Sequence, residues 1–435
     1  MATDKITSVE TFLKNLVPMN EIRAQARGLG AVQRVRAVDV AQLLIVVVVF
    51  VCGRGEQSLA AMRRALSMKA GVSLARSSFW DRFTPGFEAL VDWLLERLRL
   101  ASVESPPVYT GLLQGFKDVQ AVDSTVVQVH KSLRSLWKGT RKSTAEAALK
   151  VHTFVRAVTG ELLRYRITAE AHADCKAFAI GHWAKDMLFL FDRGYSSASL
   201  WWRVHRVGGY FVTRLTSTYT PEIRSVNRLH RGRARNLAGR PLWEALDGLA
   251  RAELDVNCRF RVHIRAYGKQ RGRWLDHDFR VVGLWDATRK AYSLYVTNVP
   301  PERFSPADVA QAYRLRWEVE TYYKTGKSGF GLDELPSRKP HIVRTLVKAA
   351  LVRASIAMQA KRRAEPNLPA KQWINPMQWV QVWRVAVEAV LGAVLTGVRL
   401  APSLQPTWES LATLARDPNV NRPPTRWTSL QELRA

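Results

Sequence analysis

Cysteine is nearly absent from this 435-residue chain: Cys52, Cys175 and Cys258 are the full complement. They stand too far apart for a CxxC or a Cys/His ligand spacing, which excludes a disulfide-framed secreted module and a clear zinc finger. Long apolar runs are scarce as well. Residues 40–52 form one, but about 13 residues fall short of the roughly 18 to 20 a bilayer requires, so it reads as a buried helix or strand. No apolar signal core or cleavage site opens the sequence, and a cytoplasmic setting is expected. Acid is the third shortage: 37 Asp and Glu face 66 Lys and Arg, a formal charge of +29. Such an imbalance calls for a polyanionic partner, with nucleic acid first and an anionic membrane surface second.

The core, by contrast, is ample. An apolar fraction of 47% argues against wholesale disorder, and the length suggests two to four structural units. Residues 1–100 read as a basic helical module, with apolar positions at three- and four-residue spacing over 83–98. It could hold DNA or serve as scaffold. The texture changes near Asp118. Residues 119–129 alternate and are rich in Val and Thr, as a strand should be; 149–158 and 162–168 read as a hairpin about Thr159-Gly160. Residues 174–183 suit a helix. Residues 187–191 are an apolar run like a buried strand, followed by a helix and a strand at 209–215. This is an α/β pattern. Residues 258–266, 279–285 and 291–297 then read as antiparallel strands of a β-rich insert. From Ser305 the chain turns helical, opening on a cap, a first-turn Pro and Asp308, and a helix is expected to run to about Lys327. Further long helices are expected over 341–363 and 375–400.

In so basic a chain, acids at buried-looking positions are the informative ones. Asp123 interrupts an apolar alternation, and Asp192 terminates the run that precedes it. A lone carboxylate at a strand end is commonly a cap. Two of them in one α/β unit point to function, because ligands bind at the carboxyl ends of such strands. The third acid comes from helix geometry. Tyr313, Arg316, Glu320, Lys324 and Lys327, spaced 3, 4, 4 and 3, share one helical face. That face could be a solvated ladder of ion pairs. Taken with Asp123 and Asp192 it suits phosphoryl transfer: three carboxylates from distant segments can hold two divalent metals, and the flanking cations can hold phosphates. Mg²⁺ is the natural metal for hard oxygen ligands, with Mn²⁺ as a substitute.

Tyr313-x₂-Arg316-x₃-Glu320-x₆-Lys327 matches in every letter and spacing the Y-R-E-K signature of the insertion-sequence-four branch of DDE transposases. Asp123-Ser124-Thr125 and Asp192-Arg193-Gly194-Tyr195 resemble that family's first and second aspartate motifs. The resemblance runs from about residue 118 to 350. It implies an RNase H-like catalytic core with a β-rich insertion, flanked by helical N- and C-terminal regions. It implies Asp123, Asp192 and Glu320 as the catalytic, metal-binding triad. Tyr313, Arg316, Trp317, Lys324, Lys327, Arg193 and Tyr195 would face DNA, and Trp274 or Trp285 of the insert would stack a flipped base.

The expected division is 1–100, a DNA-binding helical region; 101–217 and 301–350, the two parts of the core; 218–300, the insertion; and 351–435, a helical region suited to dimerisation. The implied activity is cut-and-paste transposition of a bacterial insertion sequence. The transposon end would be hydrolysed, a hairpin formed and opened, and the 3′-hydroxyl joined to target DNA. The implied partners are double-stranded DNA carrying terminal inverted repeats, target DNA, and a second copy of the chain in a synaptic dimer, with no membrane. The setting would be cytoplasmic and nucleoid-associated. Two other readings stay open: a DNA-binding regulator or inactive derivative that does not cleave, and a metal-dependent nuclease without strand transfer.

Overall fold

A computed structural model describes residues 8–32, 38–49, 58–140, 146–228, 236–247, 249, 252–264, 271–333, 335–369 and 372–418. The N-terminal region is helical: α1 (Val9–Leu16), α2 (Met19–Gly28), α3 (Val40–Val49), α4 (Leu59–Ala70), α5 (Arg76–Trp80) and α6 (Pro85–Glu104). The apolar run at residue 40 thus becomes α3, with Leu44 to Val48 fully buried. Next come β1 (Asp118–Gln128), β2 (Ala148–Arg156), β3 (Leu162–Ala169), β4 (Met187–Phe191), α7 (Ala198–Arg206) and β5 (Tyr210–Arg214). The insertion supplies β6 (Glu222–Val226), α8 (Leu242–Leu246), β7 (Glu253–Ile264), β8 (Arg273–Asp286) and β9 (Ala291–Thr297). The chain closes with α9 (Pro306–Arg314), α10 (Trp317–Phe330), α11 (Pro340–Ala364), α12 (Pro376–Thr396) and α13 (Trp408–Leu414).

The nine strands of the described residues form one sheet, ordered β3-β2-β1-β4-β5-β9-β8-β7-β6. The β1–β4 and β4–β5 pairs are parallel and the others antiparallel. Three antiparallel strands followed by two parallel ones make the RNase H-like core. The insertion does not fold away from it: β9 pairs with β5, so β6 to β9 lengthen the same sheet. Both faces are covered, and the two-residue side-chain period sorts each strand between them. In β4, Leu188 and Leu190 join the core under the terminal helices, while Phe189 and Phe191 join the core beneath α7. A buried ion cluster ties the layers together. Arg156 reaches Asp118 at 3.1 Å, Glu161 at 2.6 Å and the Ser102 carbonyl of α6 at 2.8 Å.

The local signals act as their chemistry requires. Gly160 turns the β2–β3 hairpin with φ +76°. Ser305 and Asp308 close a reciprocal capping box on α9. Gly331 ends α10 in the left-handed region.

Two segments depart from expectation. Residues 174–183 do not form a helix; only short tight turns occur, at Asp174–Lys176 and His182–Ala184. The carbonyls a helix would use are taken by arginine side chains: Arg166 holds that of Ala177, and Arg203 those of Cys175 and Phe178. Phe178 meanwhile packs edge-on against Phe154 at 4.3 Å. The helix expected to run unbroken from Ser305 to Lys327 is divided at Leu315 and Arg316. Three-residue hydrogen bonds replace the four-residue ladder there, Arg316 N–H to Tyr313 O at 3.1 Å and Val319 N–H to Arg316 O at 3.2 Å. By length and composition α12 could cross a membrane, but 56% of its most apolar window is buried within the protein.

Candidate active site

Strand register brings the first two acids together. The last β1–β4 pair is Val122 with Phe191, and the Asp192 N–H donates to Val122 O at 3.1 Å. Asp123 and Asp192 therefore sit side by side, each one residue past that pair. A backbone amide orients each carboxylate. Ser124 N–H donates to Asp123 Oδ1 at 2.7 Å, and Gly194 N–H to Asp192 Oδ2 at 3.2 Å.

Helix α10 delivers the third acid. It lies along β1 and is fastened at two points. One turn beyond Glu320, the buried Tyr323 hydroxyl shares its proton between Asp123 O at 2.8 Å and Val151 O at 3.0 Å, and accepts from Thr153 Oγ1 at 2.7 Å. One turn further, Lys327 Nζ donates to Val126 O at 3.1 Å. Glu320 is thereby held over the strand that carries Asp123.

Arg316 occupies the centre. Its Nη1 lies 3.7 Å from Asp123 Oδ2 and 3.3 Å from Asp192 Oδ1, and its Nη2 donates to Glu320 Oε1. The tight turn between α9 and α10 makes this residue the N-cap of α10 and aims its side chain inward. That side chain is 12% exposed, and its Nε and Nη1 are buried without a hydrogen-bond partner among the described residues. Burial, and then the neighbouring Asp192 charge, push the Asp123 carboxyl up to about 7. The Ser124 amide and Arg316 pull it the other way without offsetting these causes. Three hard carboxylates from three segments fit a divalent ion in their chemistry. They are not closed up as a metal cluster: among the described residues no group of three or more Asp, Glu, His or Cys has that arrangement. The guanidinium stands between them.

The other expected site residues divide. Arg193 and Lys324 are exposed nearby. Trp317 is 38% exposed, with the Arg316 guanidinium carbon 5.7 Å from its ring centroid. Tyr195 and Tyr313 are buried rather than open to a ligand. Tyr195 lies at 2.9 Å from His152 Nδ1. Tyr313 packs edge-on to Tyr295 at 5.3 Å, and burial pushes its hydroxyl pKa up. Lys327 is engaged with a backbone carbonyl, as above.

Trp274 and Trp285 are 57% and 45% exposed, at opposite ends of β8. Following the register from Phe191 through Thr213, Val296 and Val281 puts Trp285 toward the carboxylate end of the strands, while alternation sets it with Val281 on the α7 face, opposite the face that carries Asp123. At about 3.3 Å per residue and 4.8 Å per strand it is roughly 17 Å from Asp192, and Trp274 is roughly 30 Å away toward the other end. The basic segments 131–142, 224–240 and 268–273, which could track a DNA backbone, are described only in part: residues 141–145, 229–235 and 265–270 lie outside the described residues. Sequence reasoning missed Asp174, His152 and Tyr323. The one local hint was His152 breaking an apolar strand.

Residues 114–353, more than half of the chain, match the family described as Transposase DDE domain. The putative transposase InsL of insertion sequence element IS186A of Escherichia coli (strain K12) is 33% identical over 75 residues, which cover 17% of this chain and 20% of InsL. The chain thus spans about a fifth of that relative's length. The transposase of insertion sequence element IS231B of Bacillus thuringiensis subsp. berliner is 19% identical over 356 residues, covering 74% of this chain and 72% of that protein. A cryo-EM structure of the piggyBac transposase synaptic complex with hairpin DNA aligns over 90% of this chain and 82% of its own, with 9% identity and a TM-score of 0.43. By the match over residues 114–353, this chain belongs to the transposase DDE domain family.

Proposed function

We propose that the protein is the cut-and-paste transposase of a bacterial insertion sequence of the Y-R-E-K branch. In this reading it hydrolyses the transposon end and joins the freed 3′-hydroxyl to target DNA through a hairpin intermediate. The observation that carries the reading is the convergence of Asp123, Asp192 and Glu320 on one guanidinium. Asp123, Asp192 and Glu320 would hold two Mg²⁺ ions, or Mn²⁺ in their place, which when bound activate the attacking oxygen and stabilise the leaving one.

The chain's own residues do the rest. Tyr323 and the Ser124 and Gly194 amides fix the three carboxylates before substrate arrives. Arg316 leaves the carboxylates as DNA enters and turns its two-pronged donor face to a phosphate beside the scissile bond. Arg193 and Lys324 add charge along the same backbone. Trp317 and Trp285 offer exposed rings to distorted end DNA, Trp285 from the carboxylate end of the strands. Residues 1–100 bind the terminal inverted repeats, 218–300 serve as the insertion between the two core parts 101–217 and 301–350, and 351–435 pair two copies in a synaptic dimer. The reaction belongs to the bacterial cytoplasm at the nucleoid, with no membrane partner.

The test is a nicking assay on DNA carrying the inverted repeats that flank the gene. The parent should cleave at the 3′ end only with Mg²⁺ or Mn²⁺, and Asp192→Asn should not cleave. Cleavage by Asp192→Asn at the parent's rate would refute the triad. Salt-sensitive binding without cleavage by the parent would favour a DNA-binding regulator, and cleavage without a joined product a plain nuclease.

A further inference from the structure

Asp174 stands outside the family signature and outside the triad. Its segment is the one expected to be helical, and its carboxylate points back at the two strands that carry the acids. Ser124 Oγ donates to Asp174 Oδ1 at 2.9 Å, and Lys150 Nζ lies 3.1 Å from the same oxygen. The other oxygen faces Gly194, where an added Cβ would stand 3.0 Å from Oδ2. Ser124 and Gly194 are the two residues whose backbone amides hold Asp123 and Asp192. One carboxylate therefore bonds the Ser124 hydroxyl with one oxygen and lies against Gly194 with the other.

The surroundings keep it in place. The Thr168 hydroxyl donates to Ala169 O at 3.1 Å, so it accepts from His152 Nε2–H at 2.8 Å. His152 Nδ1 is then bare and accepts the Tyr195 hydroxyl proton at 2.9 Å. That fixes the last residue of the Asp192 turn. Burial lowers the His152 pKa to about 4, so the imidazole is neutral, and its 3.5 Å approach to Asp174 brings no charge. Lys150 is the cation that compensates Asp174. It is also tied to His172 O at 3.3 Å.

We infer that Asp174 is a positioning residue, whose single carboxylate sets the spacing of Asp123 and Asp192 through Ser124 and Gly194. It touches no reacting atom. Moving it moves both amides together, and with them the two carboxylates that must share metal. The inference rests on the proposed metal-binding role of the triad.

The experiment uses the full chain without DNA, with Mn²⁺ alone as probe, its binding followed by calorimetry and by the ion's paramagnetic resonance. Ser124→Ala cuts one arm, Gly194→Ala crowds the other, and Asp174→Asn keeps the shape but loses the pairing with Lys150. Each should weaken Mn²⁺ binding about tenfold or more, the range seen when partners that orient metal ligands are lost. The double variant Ser124→Ala/Asp174→Ala should bind no more weakly than Asp174→Ala, since both act through one contact. Ser124→Ala removes one hydroxyl and carries the test if Asp174→Ala fails to fold. Asp123→Asn is the control. If it abolishes Mn²⁺ binding while Ser124→Ala and Asp174→Asn bind as the parent does, the positioning role is wrong and the triad stands. If Asp123→Asn binds as the parent does, the triad reading falls and takes the inference with it.

Discussion

Replacing Arg316 by methionine removes the cation that meets all three carboxylates while keeping a side chain of similar reach. At 3.3 and 3.7 Å and an effective dielectric near 20, each of the Asp192 and Asp123 pairs has a gross attraction of roughly 4–5 kcal/mol. Desolvation of the ions returns much of it, and losing one partner of a buried ion pair costs about 3–5 kcal/mol because the other charges are left facing one another. The cost depends on pH. Arg316 is one of the groups that hold the Asp123 pKa down, so without it Asp123 takes up a proton at higher pH still and relieves part of the repulsion. Arg316→Met should therefore lose about 3–5 kcal/mol in chelator at pH 8.5, and less at pH 5.5. Divalent metal should restore it, by about 2.7 kcal/mol at a hundredfold excess over the dissociation constant. In the absence of DNA the variant should also bind Mn²⁺ more tightly than the parent, because no resident cation competes. Urea unfolding at the two pH values, with chelator or Mn²⁺, measures all of this. Equal stability of parent and variant in chelator at pH 8.5, or unchanged Mn²⁺ affinity, would refute the idea that Arg316 is the counter-ion of the site.

The Asp123 carboxyl titrates near 7 in the folded chain against about 3.9 unfolded, so stability in chelator falls as pH rises from about 4 to about 7 and is level above, by at most about 4 kcal/mol. Asp123→Asn should flatten that slope in unfolding measurements across pH. Tyr323→Phe removes the pin between α10 and the strands; it should cost about 1–3 kcal/mol in urea unfolding and slow strand cleavage while DNA affinity holds. At Gly329 an added Cβ would stand 2.1 Å from Val380 Cγ1, so Gly329→Ala should push α10 from α12 and destabilise by about 1–3 kcal/mol or more in thermal or urea unfolding. Trp285→Ala should slow end processing about tenfold or more, the loss expected of one stacked base, whereas Trp274→Ala should process ends as the parent does.

The strands that carry Asp123 and Asp192 were legible because a buried sheet writes its period into the sequence: alternation around residue 123, a pure apolar run before residue 192. The capping box at Ser305 and the stop at Gly331 were equally plain. What stayed hidden depends on distant partners. Residues 174–183 have a helix-like composition, and arginines from elsewhere in the chain take their carbonyls. No Gly or Pro marks the break at Leu315–Arg316, yet that break turns the arginine inward. Periodicity placed Arg316 and Glu320 on one face correctly, but it could not tell a phosphate-facing guanidinium from one seated among carboxylates. Tyr195 and Tyr313 sit in motifs that invite a ligand role, and only packing reveals that they are buried. The continuity of the sheet through β9 was also invisible, since pairing over that sequence distance leaves no local trace.

That pairing sets a timetable for synthesis. Ala291 follows Arg214 by 77 residues, and a ribosome adding about 5–20 residues per second needs roughly 4–15 s to deliver them. For that interval β5 is a bare sheet edge, open to strands of neighbouring nascent chains. The β7–β8 hairpin can form meanwhile from its own residues. When β9 emerges it closes both edges at once, and Arg316 and Glu320 follow within the next few seconds. A chain stalled inside the insertion therefore carries an unprotected edge and two of the three acids. Premature termination there should yield an aggregating, inert fragment, not a partly active nuclease.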